Sequence, residues 1–257
     1  MDEFDALKAK TIAFLQQQAE VYGAENLLLG VDTSALSAQP QPGAAVPVIK
    51  PLSTKAREAS APIKNQTASL VEFFHSIKNC EKCALAKSRK NFVFGTGNPQ
   101  ARVMFIGEGP GREEDLQGKP FVGAAGQVLD RMLKKMGFAR NEVFIANIVK
   151  CRPPQNRNPE PEEAAECLPH LQKQIALIQP LYIFCLGKIA AKYLLGLEGS
   201  LASLRTKNYV YEGITTFVTY HPAALLRQQS LFWQVFEDMK KFRKDYDQKI
   251  GDKPPMV

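Results

Sequence analysis

Four cysteines stand where they could bind a metal. Cys80 and Cys83 form a Cys-x-x-Cys pair, and Cys151 and Cys167 follow further along the chain. All four lie outside the apolar runs, and lysines and arginines beside them favour the thiolate form that binds metals. Four thiolates suit zinc and iron–sulfur clusters alike, so their spacing predicts a metal centre without identifying the metal. Cys185, inside the apolar run LYIFCLG, is expected to be a small buried hydrophobe.

Two further motifs directly follow apolar runs. The first is GEGPGREED at residues 107–115, whose glycines allow tight turns and close approach of the backbone to a ligand. It matches neither common phosphate-binding pattern, and its four acids would repel a phosphate. The second is HPAALLR at residues 221–227, where a proline after His221 sets up a turn. A plain strand-to-helix turn and a structural histidine remain the alternatives for these two motifs.

The elements that must position these motifs alternate along the chain. Short apolar runs predict buried strands, and apolar residues at helical spacing predict helices, the first of them starting at Ser69. The predicted strands are 103–106, 143–149, 182–186 and 215–220, and the later helices are 128–136, 161–178, 189–195 and 231–246. This alternation predicts an α/β fold, a three-layer αβα sandwich around a short, mostly parallel central sheet. Ligands in such folds bind at the carboxyl ends of strands, where both motifs would lie.

The first quarter of the chain has a different composition. Apolar spacing at residues 3–20 predicts one amphipathic helix, and residues 30–66 are rich in Ala, Pro, Ser and Gln, which is typical of a linker. We therefore expect an N-terminal helix and linker at 1–66, outside the sandwich, a domain at 67–250 and a tail at 251–257.

Charge and hydropathy narrow the class of protein. The net charge of +7 and the pI of about 9.1 favour phosphate-rich partners such as nucleic acid. No apolar run approaches the roughly 20 residues that span a bilayer. The start of the chain, MDEFDALKAK, has no apolar core of a secretory signal. We expect an intracellular protein with no membrane partner.

The motifs together resemble one family. GEGPGREED, the GKPFVGAAGQ run, IANIVKCRPPQNRNP, the cysteine spacing and HPAALLR are similar to family 4 uracil-DNA glycosylases, over about residues 69–246. The resemblance implies a monofunctional enzyme of DNA base-excision repair. Such an enzyme flips uracil out of DNA and hydrolyses its N-glycosidic bond, which leaves an abasic site. It also implies a structural 4Fe–4S cluster held by Cys80, Cys83, Cys151 and Cys167.

The same resemblance assigns roles in a base pocket. Phe121 would stack on the flipped uracil. Asn147 would pair with its edge, since a carboxamide offers an acceptor for N3–H and a donor for O4. Glu114 would fill the space beside C5 and exclude the methyl group of thymine. His221 would donate to O2 as negative charge develops there, and the sequence does not set its tautomer.

The resemblance also bears on water and on DNA. Gly109 stands where the best-known glycosylases of the superfamily have an aspartate that positions the water. We therefore expect Asn156 to orient the water and Glu108 to shape the pocket. Leu225 matches the position of a wedge that enters the base stack, and Arg227 is expected to contact a phosphate.

Three rival interpretations stay open at this stage. A related branch captures the sugar covalently with a histidine, but the corresponding stretch KCRPPQNRNPEPEE has none. A non-catalytic, DNA-polymerase-associated DNA-binding module would tolerate loss of Phe121, Asn147 or His221, yet all three are present. A zinc-binding nucleic-acid module is the third. We expect a cytoplasmic, nucleoid-associated monomer that binds single- or double-stranded DNA, with a replication or repair protein as a partner for its N-terminal helix.

Overall fold

The computed structural model describes residues 64–256, and only the backbone of residues 64–68. The predicted N-terminal helix and nearly all of the predicted linker lie outside the described residues. The first described helix begins at Lys64, three residues before the predicted domain boundary. Within residues 64–256, no helix is both long and apolar enough to cross a membrane.

Six strands form one sheet. They are β1 Thr96–Gly97, β2 Val103–Gly107, β3 Phe144–Asn147, β4 Tyr182–Leu186, β5 Tyr209–Tyr211 and β6 Ile214–Thr219. Their order is β1-β3-β2-β4-β6-β5. The four central strands are parallel, whereas β1 and β5 pair antiparallel at the two edges. The central strands confirm the predicted sheet. The edge strands were not predicted, because two or three residues are too few to show an alternating pattern.

Eight α-helices surround this sheet in the described part of the chain. They are α1 Lys64–Ile77, α2 Arg112–Gln117, α3 Ala124–Lys135, α4 Pro161–Ile178, α5 Lys188–Leu195, α6 Leu201–Leu204, α7 Pro222–Arg227 and α8 Phe232–Lys249. The five long helices were predicted to within a few residues at most ends. The short helices α2, α6 and α7 were not, since six residues or fewer hold too little periodicity.

The core lies on both faces of the sheet, because successive side chains of a strand point in opposite directions. Met104 and Ile106 of β2 join one buried cluster with side chains of α1, α4 and α5. Val103 and Phe105 join the other with side chains of α3, α7 and α8. Helices therefore cover the sheet on two sides, and the predicted three-layer αβα sandwich is confirmed.

The parallel strands bring the sequence motifs to one edge of the sheet. Gly107 ends β2 and Asn147 ends β3, and the two residues are paired in register. The pairing continues past both strands, where the backbone N–H of Ile148 donates to the carbonyl of Gly107 at 2.9 Å. His221 follows β6 by two residues at the same edge. The carboxyl ends of the strands thus gather the glycine-rich motif, the asparagine and the histidine.

The last described residues pack at the amino ends of the strands. Asp252 forms an ion pair with Arg102 at 2.7 Å, and Lys253 forms one with Glu142 at 2.6 Å. The sequence placed a separate tail at 251–257. In the structure Asp252 and Lys253 are held by the domain instead, through residues that precede β2 and β3.

Candidate active site

A cavity of about 430 Å³ opens at the carboxyl ends of the central strands. It brings together eight residues that the sequence singled out, which are Glu108, Gly109, Glu114, Phe121, Asn147, Asn156, His221 and Arg227. They come from four separate stretches of the chain. Leu225 is the one predicted contact residue for base or DNA that does not line the cavity.

Asn147 carries a buried polar atom without a partner. The residue is 2% exposed, and its Oδ1 has no hydrogen-bond partner among the described residues. Leaving a buried acceptor unpaired costs about 1–3 kcal/mol. Its backbone carbonyl, by contrast, accepts a hydrogen bond from Lys150 Nζ at 2.9 Å. The side-chain amide is therefore placed for a ligand that donates a hydrogen bond inside the cavity.

Gly107 makes room for the two side chains that meet above it. A Cβ at this position would lie 2.5 Å from Asn147 Oδ1 and 2.6 Å from Phe121 Cζ. Both separations are below any ordinary carbon contact. The first glycine of the motif at 107–115 is thus required because an amide and an aromatic ring approach the backbone closely there.

Phe121 is held in an unusual backbone conformation. Its φ of +51° lies in the left-handed region, which a bulky residue adopts only when its surroundings enforce it. Gly126 permits this turn, since a Cβ there would lie 2.0 Å from the Phe121 carbonyl oxygen. The Phe121 ring lies 5.4 Å from the His221 ring, centroid to centroid, at an interplanar angle of 31°.

Glu114 holds the loop that carries Phe121. Its Oε1 accepts hydrogen bonds from the backbone N–H groups of Val122 at 2.9 Å and Gly123 at 3.0 Å. These groups precede α3, so the carboxylate sits at the N-terminus of that helix, where negative charge is favoured. The sequence suggested exclusion of a methyl group for Glu114. The geometry gives it a second task, which is to fix the position of the aromatic ring.

The hydrogen bonding of His221 sets its tautomer. The backbone N–H of Ala223 donates to His221 Nδ1 at 3.1 Å, so that nitrogen is an acceptor and Nε2 carries the proton. Burial first, and then the positive charge of Arg227, lower the pKa of His221 to about 4, against a smaller opposing effect of Glu114. His221 is therefore a neutral imidazole at pH 7 that donates from Nε2.

The two residues considered for orienting water differ in what they can offer. The Oδ1 of Asn156 accepts a hydrogen bond from Arg152 Nε at 2.8 Å, so its free group is the amide NH₂. Glu108 is partly buried, and burial raises the pKa of its carboxyl group. A carboxylate can accept a proton from water, whereas an amide NH₂ cannot. The two side chains therefore offer different chemistry, a proton acceptor at Glu108 and a hydrogen-bond donor at Asn156.

There is little room for a side chain at Gly109, which lines the cavity with its backbone. A Cβ at this position would lie 2.7 Å from Val149 Cγ2, and Pro153 lies just behind it. A larger side chain here would have to push the neighbouring loop aside. The space beside Gly109 is thus closed by the loop after β3.

The predicted wedge residue has to be corrected. Leu225 is 1% exposed and packs in the core cluster beside α3 and α8. A side chain buried there cannot enter a base stack without leaving the core. Leu226 is 44% exposed, and the exposed Arg227 follows it and lines the cavity. The sequence failed here because a six-residue helix does not reveal which of two adjacent leucines faces the sheet.

The four predicted cysteine ligands line one small cavity between the segment after α1, the loop after β3 and helix α4. Cys151 and Cys167 are buried, and Cys80 and Cys83 are partly exposed. None of the four forms a disulfide, and burial raises the pKa of Cys167 to about 12. A metal must therefore displace protons when it binds these sulfurs. Cys185 lies apart from them in β4, fully buried as expected.

Hydrogen-bonding groups lie beside three of these sulfurs, and two of these groups are donors. Arg89 Nη1 donates to Cys151 Sγ at 3.2 Å, and the backbone N–H of Lys150 donates to Cys167 Sγ at 3.3 Å. His170 Nε2 lies 3.3 Å from the Sγ of Cys80. Donors of this kind stabilise sulfur that carries negative charge, as in a metal-bound thiolate.

Sequence reasoning missed the residues that brace the loop after β3. Arg157 forms an ion pair with Glu163 of α4, with Nη2 and Oε1 2.7 Å apart. Arg152 holds Asn156, and Lys150 is completely buried beneath Asn147. The run of basic residues between the two asparagines was the available signal. By itself this signal indicates only positive charge near the cysteines.

Comparisons with known proteins point to one family. The model of the "Uracil DNA glycosylase superfamily" matches residues 94–246. The chain is 45% identical over 184 residues to a type-4 uracil-DNA glycosylase of Sulfurisphaera tokodaii, covering 68% of this chain and 84% of that one. It is 47% identical over 174 residues to a type-4 uracil-DNA glycosylase of Pyrobaculum aerophilum, covering 65% and 89%. A DNA polymerase of Bacillus phage SP01 is 32% identical over 135 residues, or 52% of this chain and 14% of the polymerase.

The match to the family model covers both motifs that line the cavity, and the type-4 relatives are matched over most of their length. The phage polymerase shares only a small part of itself with this chain. The chain therefore belongs to the uracil-DNA glycosylase superfamily and, within it, to the type-4 uracil-DNA glycosylases.

Proposed function

We propose that this protein removes uracil from DNA by hydrolysing the bond between uracil N1 and the deoxyribose C1′. The observation that carries the proposal is the buried, unpartnered Oδ1 of Asn147 beside the Phe121 ring, in a cavity that membership of the family connects with uracil. The product would be a free base and an abasic site. Because the base must leave the helix to reach the cavity, the reaction requires base flipping.

Recognition would rest on the Asn147 carboxamide. Its Oδ1 would accept from uracil N3–H, and its Nδ2 would donate to O4. Cytosine has an acceptor at N3 and a donor at N4, so it would leave both amide atoms buried and unpaired. A site built on such hydrogen bonds can reject the wrong ligand by about 10⁴-fold. The Phe121 ring would stack on the base face and hold it against the amide.

Exclusion of thymine would depend on the wall beside the aromatic ring. Glu114 lines the cavity, and its carboxylate is fixed by the N–H groups before α3. A fixed carboxylate beside C5 leaves no room for a methyl group. A methyl group at C5 would also remove water from the Glu114 carboxylate without replacing the lost hydrogen bonds.

Departure of the base would be assisted by His221. As the C1′–N1 bond breaks, its electron pair moves into the uracil ring and negative charge develops on O2. The neutral imidazole donates from Nε2, because Nδ1 is already the acceptor for Ala223. One donor placed at developing charge is worth about 10²–10³ in rate.

Addition of water would be assisted by Glu108. The water oxygen would form a bond to C1′ on the face opposite the departing base, and a proton of that water would pass to the Glu108 carboxylate. Asn156 would contribute a donor from its NH₂ to the same water, because its oxygen is taken by Arg152. This reverses the emphasis that the sequence suggested for Glu108 and Asn156.

Binding of the DNA strand would involve the end of α7. Arg227 is exposed at the rim of the cavity and would contact a phosphate beside the flipped nucleotide. The exposed Leu226 next to it would fill the space that the base vacates, in place of the buried Leu225. Unstacking at such a step costs a few kcal/mol, which the new contacts offset.

The four cysteines would hold a 4Fe–4S cluster. Within residues 64–256, no three His, Cys, Asp or Glu side chains converge closely enough to bind one metal ion. A cubane makes a different demand, because each of its four thiolates binds its own iron at a separate corner. The donors to Cys151 and Cys167 suit an anionic cluster. The cluster would act structurally by joining the loop after β3 to α4 and to the segment after α1.

One gel assay tests the proposal. The purified protein is incubated with an oligonucleotide that contains a single uracil, and alkali then cleaves any abasic site. We expect cleavage at the uracil, and none in matched strands that carry cytosine or thymine. A protein that binds these oligonucleotides and yields no alkali-labile site would instead support the non-catalytic, polymerase-associated module.

A further inference from the structure

Lys150 is a lysine buried completely between the cysteines and the base pocket. It is 0% exposed. Its ammonium group donates to the backbone carbonyl of Asn147 at 2.9 Å and to Gln174 Oε1. Its backbone N–H donates to Cys167 Sγ at 3.3 Å, and Cys151 is the next residue. Lys150 therefore contacts a cysteine of the predicted metal site through its backbone. It contacts Asn147, the residue proposed to read uracil, through its ammonium group.

The surroundings of this ammonium group are unusual for a buried charge. The two hydrogen-bond acceptors that it contacts are neutral, a peptide carbonyl and an amide oxygen. A buried charge is normally paired with an opposite charge or neutralised. Burial lowers the pKa of Lys150 to about 8, and the charge of Cys167 in its thiolate form opposes this and favours the ammonium. The lysine is therefore placed where a cluster of thiolates would stabilise it.

Lys150 and its neighbours are linked by several hydrogen bonds just after the end of β3. Gln174 also donates from Nε2 to the backbone carbonyl of Phe94 at 2.9 Å. The backbone carbonyl of Lys150 accepts from Val93 N–H at 2.9 Å. The segment 93–94 and helix α4 thus hold the lysine from two sides. The carbonyl of Asn147 is then fixed directly beneath the side chain that faces the pocket.

We propose that Lys150 is a positioning residue that holds Asn147 in its base-reading orientation. Through Lys150, the position of Asn147 would depend on the cysteine centre, which is the site formed by Cys80, Cys83, Cys151 and Cys167. The inference rests on the proposed uracil excision. It predicts that Lys150 acts through Asn147 rather than on stability alone. A lysine that only fills space in the core would affect excision equally with or without the Asn147 side chain.

The test is a double-mutant cycle on single-turnover excision. Lys150→Met removes the ammonium group and keeps the apolar stem. We expect it to lower the excision rate by about 10- to 100-fold, since misplacing a binding group by 1 Å can cost about 10²-fold. In an Asn147→Ala background, the same change should lower the residual rate by less than about twofold, because a residue that acts through the Asn147 side chain has nothing left to position, and the two losses are then not additive. Equal losses in both backgrounds would overturn the proposal.

Two further measurements and two further variants keep the outcomes distinct. Iron per chain is determined for each variant, and the dissociation constant is measured with uncleavable uracil DNA. Gln174→Met removes the second anchor of the ammonium group, and it is taken through the same cycle if Lys150→Met does not fold. Ile175→Val, a buried neighbour of Gln174 on α4, is the control for core destabilisation and should excise at the wild-type rate.

Iron content decides between positioning and support of the centre. We expect Lys150→Met and Gln174→Met to keep the iron content of the wild type and to lose selective affinity for uracil DNA. If both variants lose their iron, Lys150 supports the centre and does not position Asn147, and the proposal is overturned. If the wild-type protein with full iron excises no uracil, the proposed function itself fails, which is a separate result.

Discussion

A single methyl group at Gly107 should damage the pocket more than the fold. Gly107→Ala would place Cβ 2.5 Å from Asn147 Oδ1 and 2.6 Å from Phe121 Cζ. Neither neighbour can move freely, because Asn147 ends a paired strand and the Phe121 loop is held by Glu114. Relief of the two contacts therefore requires a shift on the order of 1 Å, the amount needed to restore ordinary carbon contacts of about 3.5 Å.

The size of the effect follows from that shift. Overpacking by one methyl group costs about 1–3 kcal/mol of folding stability. Displacing the base-reading amide or the stacking ring by about 1 Å should lower single-turnover excision by about 10²-fold. The loss should appear in the rate and in affinity for uracil DNA, while affinity for undamaged DNA stays near the wild-type value.

The assay compares this variant with a glycine that is far from the pocket. Gly196 ends α5 with a φ of +66°, and a Cβ there would meet nothing within 4 Å. Gly196→Ala should cost about 1–2 kcal/mol through the left-handed backbone alone, and excise uracil normally. Stability is measured by thermal unfolding, and excision under single-turnover conditions. A wild-type rate in Gly107→Ala would refute the assigned arrangement of Asn147 and Phe121.

Three other outcomes are expected. Leu226→Ala should weaken excision from duplex DNA without loss of stability, whereas Leu225→Ala should cost about 2–5 kcal/mol of stability. The opposite pattern in thermal unfolding and duplex excision would restore Leu225 as the wedge. Burial lowers the pKa of His221 to about 4, so its neutral, donating form persists as the pH falls through 6.5. The residual rate of Glu108→Gln should therefore be flat from pH 8 to 5.5, and an inflection near 6.5 would show that His221 titrates with an ordinary pKa. The purified protein should absorb visible light and hold about four irons per chain, as a cubane with four cysteine ligands requires. Cys151→Ala should lose both the iron and the soluble fold, and a colourless protein with one zinc would contradict the cluster.

The sequence was informative wherever a pattern repeats over several residues. The runs around Phe105 and Phe184 are uniformly apolar because both faces of β2 and β4 are covered, and this identified the parallel strands. The long helices showed their buried face at regular spacing. The pocket residues were found because each motif directly follows a strand, and parallel strands end at the same edge of the sheet.

What the sequence could not supply depends on individual side-chain contacts that leave no repeating pattern along the chain. The tautomer of His221 is set by the N–H of Ala223 within a short helix that has no periodic signal. The oxygen of Asn156 is taken by Arg152, a choice that side-chain geometry makes and spacing does not. Which of Leu225 and Leu226 is buried depends on how α7 sits against the core, and six residues do not reveal that. The burial of Lys150 contradicts the usual exposure of lysine, so no composition rule would have found it.

The most direct test of uracil excision by this pocket is the selectivity of Asn147→Asp. A carboxylate offers no donor to uracil O4 and repels the negative charge that develops on the departing base. A protonated acid reverses part of the pattern and can accept cytosine. Single-turnover excision is measured on strands that carry uracil or cytosine, for the wild type and the variant. We predict that the wild type excises only uracil, and that the variant loses most of this rate and its preference against cytosine. A variant that excises uracil at the wild-type rate, with selectivity unchanged, would contradict the account.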